Sequence, residues 1–233
     1  MKTSKPIPKP DEGKTNSLRE QAYGSFTEHL LARSLRPGQF VSQRELVELT
    51  GLGLGAIREL VPRLESEGLI KTVPKRGMQI AHVDLNLIRD AFEFRLFIEV
   101  ESASLFTQNA SNADVARLHE VHVAIVQECE EAAAAGGIQP ELVARAQSID
   151  WGFHATIVDA LGNRIINDAY RVNMIKIRLI KQEQTQLNLA VIVPTMLEHI
   201  KIIEAFKVRD AAKASQAMRE HIISARNRAL EQR

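Results

Sequence analysis

Residues 42–77 read SQRELVELTGLGLGAIRELVPRLESEGLIKTVPKRG, and local signals in this stretch set the order of elements around it. Ser42 with Glu45 three residues on forms a capping box, so a short helix starts there and runs to about Thr50, where Gly51 stops it. After a turn near Gly53, Ile57, Leu60, Val61 and Leu64 recur at helical spacing between Ala56 and Glu67, and Gly68 caps that helix. The runs Leu69–Val73 and Met78–Val83 flank Pro74-Lys75-Arg76-Gly77, which predicts a β-hairpin. Upstream, Leu18, Ala22, Phe26, Leu30 and Leu31 mark a first helix between Ser17 and Leu35, ended by the turn at Pro37-Gly38. Helix, helix, turn, helix, hairpin is the order of a winged helix-turn-helix.

The rest of the chain is read outward from this core. Residues 1–16 hold three prolines and four lysines with almost nothing apolar, which predicts a flexible arm rather than a signal or transit peptide. A hydrophobic fraction of 45% with 25% charged residues is the balance of a folding globular protein, and 233 residues suffice for two domains. No apolar run approaches the roughly 20 residues that span a bilayer. The single cysteine, Cys129, excludes an internal disulfide and a thiolate zinc cluster; with the polar N-terminus it points to a cytoplasmic protein with no membrane partner. Residues 1–84 carry 13 Lys/Arg against 10 Asp/Glu, and the remainder 17 against 19, so the surplus of positive charge lies at the N-terminal end, where a polyanion would be favoured.

From about Leu85 the pattern is helical throughout, with breaks expected at Asn109–Asn112, Gly136–Pro140, Gly162-Asn163, Val193-Pro194 and Arg209-Asp210. That yields about six helices, Pro194 serving in a first turn and Asp210 as an N-cap. The expected fold is mainly α: an arm over 1–16, a winged helix-turn-helix over 17–83, and an all-α bundle over 84–233.

The linked elements Leu35-Arg36-Pro37-Gly38-Gln39, Ser42-Gln43-Arg44-Glu45-Leu46, Ile57-Arg58-Glu59 and Arg63–Ile70, with a hairpin ending Arg76-Gly77, resemble the GntR family of bacterial transcriptional regulators over residues 17–83. The resemblance implies a DNA-binding domain that reads double-stranded operator DNA, with Arg44 and Arg58 on bases or phosphates and a basic wing of Lys75, Arg76 and Gly77 beside the groove. The physics agrees, because a helix in the major groove needs cationic donors near its N-terminal part. Where the family often has Ser-Arg-Thr-Pro, this chain has Gly53-Leu54-Gly55-Ala56. Gly55 can bring backbone close to a phosphate there, whereas each glycine costs about 1 kcal/mol in a helix and Pro62 about 3 kcal/mol.

Residues 85–233 resemble the FCD domain of the FadR-type GntR subgroup. The carrying motifs are Phe94-Arg95-Leu96-Phe97-Ile98-Glu99, Asp150-Trp151-Gly152-Phe153-His154 with Gly162-Asn163, Glu198-His199-Ile200, and Met218-Arg219-Glu220-His221-Ile222. Asp150 and His154, four apart, share one helix face, and His199 and His221 fall on the last two helices that can be delimited. By resemblance these four hold a divalent transition metal, and one carboxylate with three imidazoles suits zinc, nickel, manganese or iron. Resemblance also makes Arg95 the holder of a small carboxylic-acid effector; as an alternative, Arg95 pairs with Glu99 along its own helix. His29, His82, His119 and His122 match nothing and receive no role. The implied protein is a homodimeric repressor, not an enzyme, whose operator affinity is set by the effector at the metal. Two alternatives remain: a regulator that answers to metal with no organic effector, and a metalloenzyme.

Overall fold

The computed structural model describes residues 12–137, 139–184 and 189–231, and the chain divides into two compact units, Met1–Val83 and Asp84–Arg233. In the first unit, helix α1 (Glu12–Leu31) buries Ala22, Phe26 and Leu30. Residues 1–11 of the expected arm lie outside the described residues, while 12–16 are helical. Apolar periodicity reports only where a helix packs, and a nucleated helix propagates beyond that stretch at the cost of one residue per hydrogen bond. The C-terminal end also falls short of Leu35, because Arg33 adopts a left-handed φ of 63°.

The capping box forms as read: Ser42 Oγ accepts from the Glu45 amide at 3.1 Å, and Glu45 Oε2 accepts from the Ser42 amide at 2.7 Å. It starts α2 (Gln43–Thr50), which Gly51 ends with a φ of 69°. Helix α3 (Leu54–Ser66) begins two residues before Ala56, with Gly53 as N-cap and Gly55 in its first turn. Pro62 lies inside α3 on its exposed side, where water can replace the hydrogen bond it removes.

The wing pairs β2 (Ile70–Val73) with β3 (Gly77–Ile80), antiparallel, Val73 opposite Gly77. A further strand, β1 (Phe40–Val41), was not expected; it adds to β3 so that the order is β1-β3-β2. Two residues carry no alternation for a sequence reading to find. Gly77 has a φ of 93°, and a Cβ there would lie 2.8 Å from the Val41 carbonyl oxygen, so the β1–β3 pairing itself demands glycine.

The second unit consists, among the described residues, of six helices: α4 (Leu85–Asn109), α5 (Asn112–Ala134), α6 (Pro140–Asp159), α7 (Arg164–Gln184), α8 (Leu189–Lys207) and α9 (Ala211–Glu231). Asp84, Ser111 and Asp210 accept from amides of the first turns of α4, α5 and α9 at 2.8–3.0 Å, as N-caps do. Helix α4 packs against α6, α7, α8 and α9, and along its length it buries Ile88, Phe92 and Phe106 but also Arg95 and Glu99. The break expected at Val193-Pro194 is a correction: Pro194 sits inside α8. Ile192 and Met196 on either side of it pack into a core with Ile125, Cys129 and Ala146, and burial of that turn outweighs a proline cost of roughly 3 kcal/mol.

Candidate metal centre

Three helices deliver the central residues. Asp150 and His154 stand one turn apart on α6, His199 comes from α8 and His221 from α9. None is more than 5% exposed, and one donor atom from each lies within 4.8 Å of the others. His221 Nε2 is 3.2 Å from His154 Nε2 and 3.3 Å from His199 Nε2. Asp150 Oδ1 is 3.5 Å from His199 Nε2 and 3.7 Å from His154 Nε2.

What the rings do with their other nitrogens decides what this cluster can hold. His154 Nδ1 lies 2.7 Å from Glu99 Oε2, and His221 Nδ1 2.8 Å from Glu198 Oε2. His199 Nδ1 faces His122 Nε2 at 3.2 Å, and His122 Nδ1 lies 2.7 Å from the Leu118 carbonyl. Carboxylates and carbonyls accept, so each ring donates from Nδ1 and leaves Nε2 with a bare lone pair. Arg95 Nη2 is 3.0 and 3.2 Å from the two nitrogens of His154, so its N–H donates toward the Nε2 lone pair of that ring. Asp150 Oδ1 is buried with no hydrogen-bond partner. Two imidazole acceptors with no N–H aimed at them by a cation or amide, a third met only by the Arg95 guanidinium, and an orphaned carboxylate oxygen converging out of water are costly unless a cation lies among them. The donor set therefore fits a divalent metal, with the carboxylates and His122 as the outer groups that orient the rings.

The electrostatics point the same way. Burial holds His199 well below its usual value, with His221 and His154 adding to it. Burial also pushes His221 down to about 4 despite its bond to Glu198. Glu198 is held at about 2: burial raises it, but His221 and Arg228 more than offset that. Asp150 is kept ionised against burial by Lys181, whose Nζ donates to Oδ2 at 2.6 Å. Neutral imidazoles, as burial favours at His199 and His221, and an ionised carboxylate are the forms that ligate metal.

Arg95 pairs with Glu99 through Nε at 2.5 Å and Nη2 at 3.2 Å, and Tyr170 donates to Glu99 Oε1 at 2.9 Å. Of the two readings of Arg95, the pairing along its helix is thus present, and it takes place against His154. A cavity of about 40 Å³, open to solvent on one side, adjoins the cluster. Asp150, His221, Lys181, Thr195 and Arg228 line it, and Arg95 does not.

Sequence reasoning missed His122, which received no role yet is 1% exposed and in contact with His199 77 positions away; nothing local marks such a pair. Glu198 and Glu99 carried a weak signal, the first as the neighbour of His199 and the second one turn beyond Arg95. In the first unit Arg44, Gly55, Arg58, Lys75 and Arg76 are all exposed. Arg44 Nε reaches Glu48 at 3.2 Å, and the Arg76 guanidinium stacks 4.2 Å from the Phe40 ring centroid, which steadies the wing.

The comparisons with known proteins match both units. The FCD domain family matches residues 90–224 and the gntR family of bacterial regulatory proteins residues 18–80. The chain therefore belongs to the FCD-domain branch of the GntR family: it is a DNA-binding transcriptional regulator, not an enzyme. It is 25% identical over 206 residues to the HTH-type transcriptional repressor GlaR of Escherichia coli K12, covering 84% of this chain and 88% of GlaR. The fold is that of E. coli McbR/YncC (TM-score 0.71, 17% identity, 92% of this chain and 98% of that one). It also matches the metal-free FCD domain of TM0439 (TM-score 0.52, 20% identity, 65% of this chain and 97% of that one).

Proposed function

We propose that this regulator is a cytoplasmic homodimeric repressor whose operator affinity is set by a small carboxylic acid bound at a transition metal held by Asp150, His154, His199 and His221. The observation that carries the reading is the junction of the cluster with the cavity: Asp150 and His221 belong to both. Four protein ligands leave open positions on a five- or six-coordinate zinc, nickel, manganese or iron ion, and a carboxylate entering the cavity can fill them. Arg95, against His154, supports the anion electrostatically. Bound metal would act as a Lewis acid that fixes the effector; the chain's own residues hold, orient and keep the rings neutral.

Residues 84–233 are the sensing domain in this reading and residues 17–83 the reading head, with Arg44, Arg58, Gly55, Lys75, Arg76 and Gly77 at the DNA. A two-fold dimer reads a pseudo-palindrome, and the acid acts because it binds the DNA-free and DNA-bound states unequally. The likeness to the repressor GlaR supports the direction. Among the described residues no helix is long and apolar enough to cross a membrane, and Cys129 is buried as a free thiol, both in keeping with a cytoplasmic setting.

The test is a thermal-shift screen of metal-loaded protein against small carboxylic acids, repeated with Arg95→Ala and His199→Ala, followed by operator titrations. Ligand that binds the native state raises its apparent stability. The expected result is an acid that stabilises wild type, loses its effect in both variants and weakens operator binding. Metal that changes operator affinity while no acid does would replace this reading by a purely metal-responsive regulator.

A further inference from the structure

The charges around the cluster are balanced before any ion enters. Three buried or half-buried carboxylates each meet one cation: Glu99 meets Arg95 at 2.5 Å, Asp150 meets Lys181 at 2.6 Å, and Glu198 meets Arg228 at 3.1 Å. Among the described residues no further carboxylate joins these three pairs, so a divalent ion brings two positive charges that they do not compensate, in a space whose dielectric does little to screen them. Arg178 adds to the surplus: its guanidinium lies 4.2 Å from the Trp151 ring centroid, and its Nε is buried without a hydrogen-bond partner.

The cavity offers places to put the compensating charge. Lys181 uses one of its three N–H donors on Asp150. Among the described residues the contacts of Arg228 with Glu198, Ser224 and Thr195 run through Nη1 and Nη2, and its Nε–H is available to another acceptor. Both side chains, with Thr195, line the cavity that reaches Asp150 and His221, while Phe92, Ile192 and Met196 give the same cavity apolar wall. A monocarboxylate would neutralise one of the two surplus charges and leave the remaining donors of Lys181 and Arg228 in the cavity wall without an anion.

We propose that the cavity takes a small dicarboxylate, one carboxylate at the metal and the other held by Lys181 and Arg228, with the hydrocarbon spacer against Phe92, Ile192 and Met196. This rests on the acid-sensing reading above and narrows it to one class of acid, assigning Lys181 and Arg228 as the residues that read the second charge.

The experiment is calorimetric titration of full-length, metal-loaded protein with matched acids: succinate, glutarate and adipate against butyrate, pentanoate and hexanoate, with metal content measured after each run. The expected result is that at least one diacid binds tenfold or more tightly than the monoacid of equal chain length with the metal retained. In Arg228→Gln, compared at equal measured metal content, that preference falls to threefold or less. The wild-type series stands alone should the variant not fold. Equal binding of diacid and monoacid overturns the assignment and leaves acid sensing intact; no binding by either, with the metal in place, overturns both.

Discussion

Nε2 of His122 stands 3.2 Å from Nδ1 of His199, and because the Leu118 carbonyl takes the other nitrogen of His122, one backbone acceptor sets the proton positions of both rings. The chain of donors ends in the bare Nε2 of His199. Replacing His122 by Phe keeps the ring volume and removes the acceptor. Outer-shell losses of this kind lower metal affinity about 10–100-fold. His122→Gln, which supplies an amide oxygen, is expected to recover part of that. Competition against a chromophoric chelator measures both, and a His122→Phe protein with wild-type affinity would reduce the residue to a space-filler.

The Arg95–Glu99 pair is 1% and 0% exposed at its side chains. Breaking such a pair from one side leaves an uncompensated buried charge, at a cost of about 3–5 kcal/mol. Arg95→Met is expected to lose that much in urea denaturation of the metal-free protein. Arg95→Met combined with Glu99→Gln should lose less, since no charge is stranded. The lone tryptophan, Trp151, lies in α6 beside Asp150 and reports the helical unit directly. A double variant as unstable as the single would contradict the pairing.

Acid should weaken the metal-free protein in two stages. His221 is held at about 4 by burial, below its unfolded value of roughly 6.5. The unfolded chain therefore takes up a proton first, and stability that is complete above pH 6.5 drains away as pH falls toward 4. Glu198, held at about 2, has the same sign and adds its loss below roughly pH 4.5. Thermal melts of chelator-treated protein between pH 7.5 and 4 check this, with a shallower first stage expected for His221→Asn. A midpoint that stays flat from pH 7 to 5 would contradict buried neutral rings.

Two glycines in the first unit should respond in opposite ways. At Gly77 the left-handed backbone and the Val41 carbonyl 2.8 Å from a would-be Cβ make Gly77→Ala destabilising by about 1–3 kcal/mol. At Gly55 nothing lies within 4 Å of an added Cβ, so Gly55→Ala should stabilise the metal-free fold by about 0.5–1 kcal/mol. If the backbone of Gly55 approaches a phosphate, the same substitution weakens DNA binding. Melting and fluorescence anisotropy on one pair of variants separate the two effects. Unchanged DNA affinity in Gly55→Ala would remove that residue from the interface.

Much of this organisation could be read from the chain because its signals are local. The Ser42/Glu45 box spans four residues and formed as such; the helix breaks at Gly136–Pro140 and Arg209-Asp210 fall where turn and cap residues sit. The grouping of Asp150 and His154 with His199 and His221 was legible because one pair lies a helical turn apart and the other two carry family motifs. What escaped depends on tertiary context. Strand β1 exists only because β3 offers an edge; Pro194 stays helical because Ile192 and Met196 are buried; and His122 acquires a role from a ring on another helix.

The central claim is that Asp150, His154, His199 and His221 hold one metal ion per chain. Elemental analysis of the purified protein, with X-ray absorption at the edge of whatever metal is found, tests it most directly. The expected result is one ion per chain in a shell of imidazole nitrogens and carboxylate oxygen, reduced to a small fraction in His199→Ala and His221→Ala with the helical fold intact by circular dichroism. Full metal content in both variants, or a wild type that binds none of the four candidate metals at micromolar concentration, would contradict it.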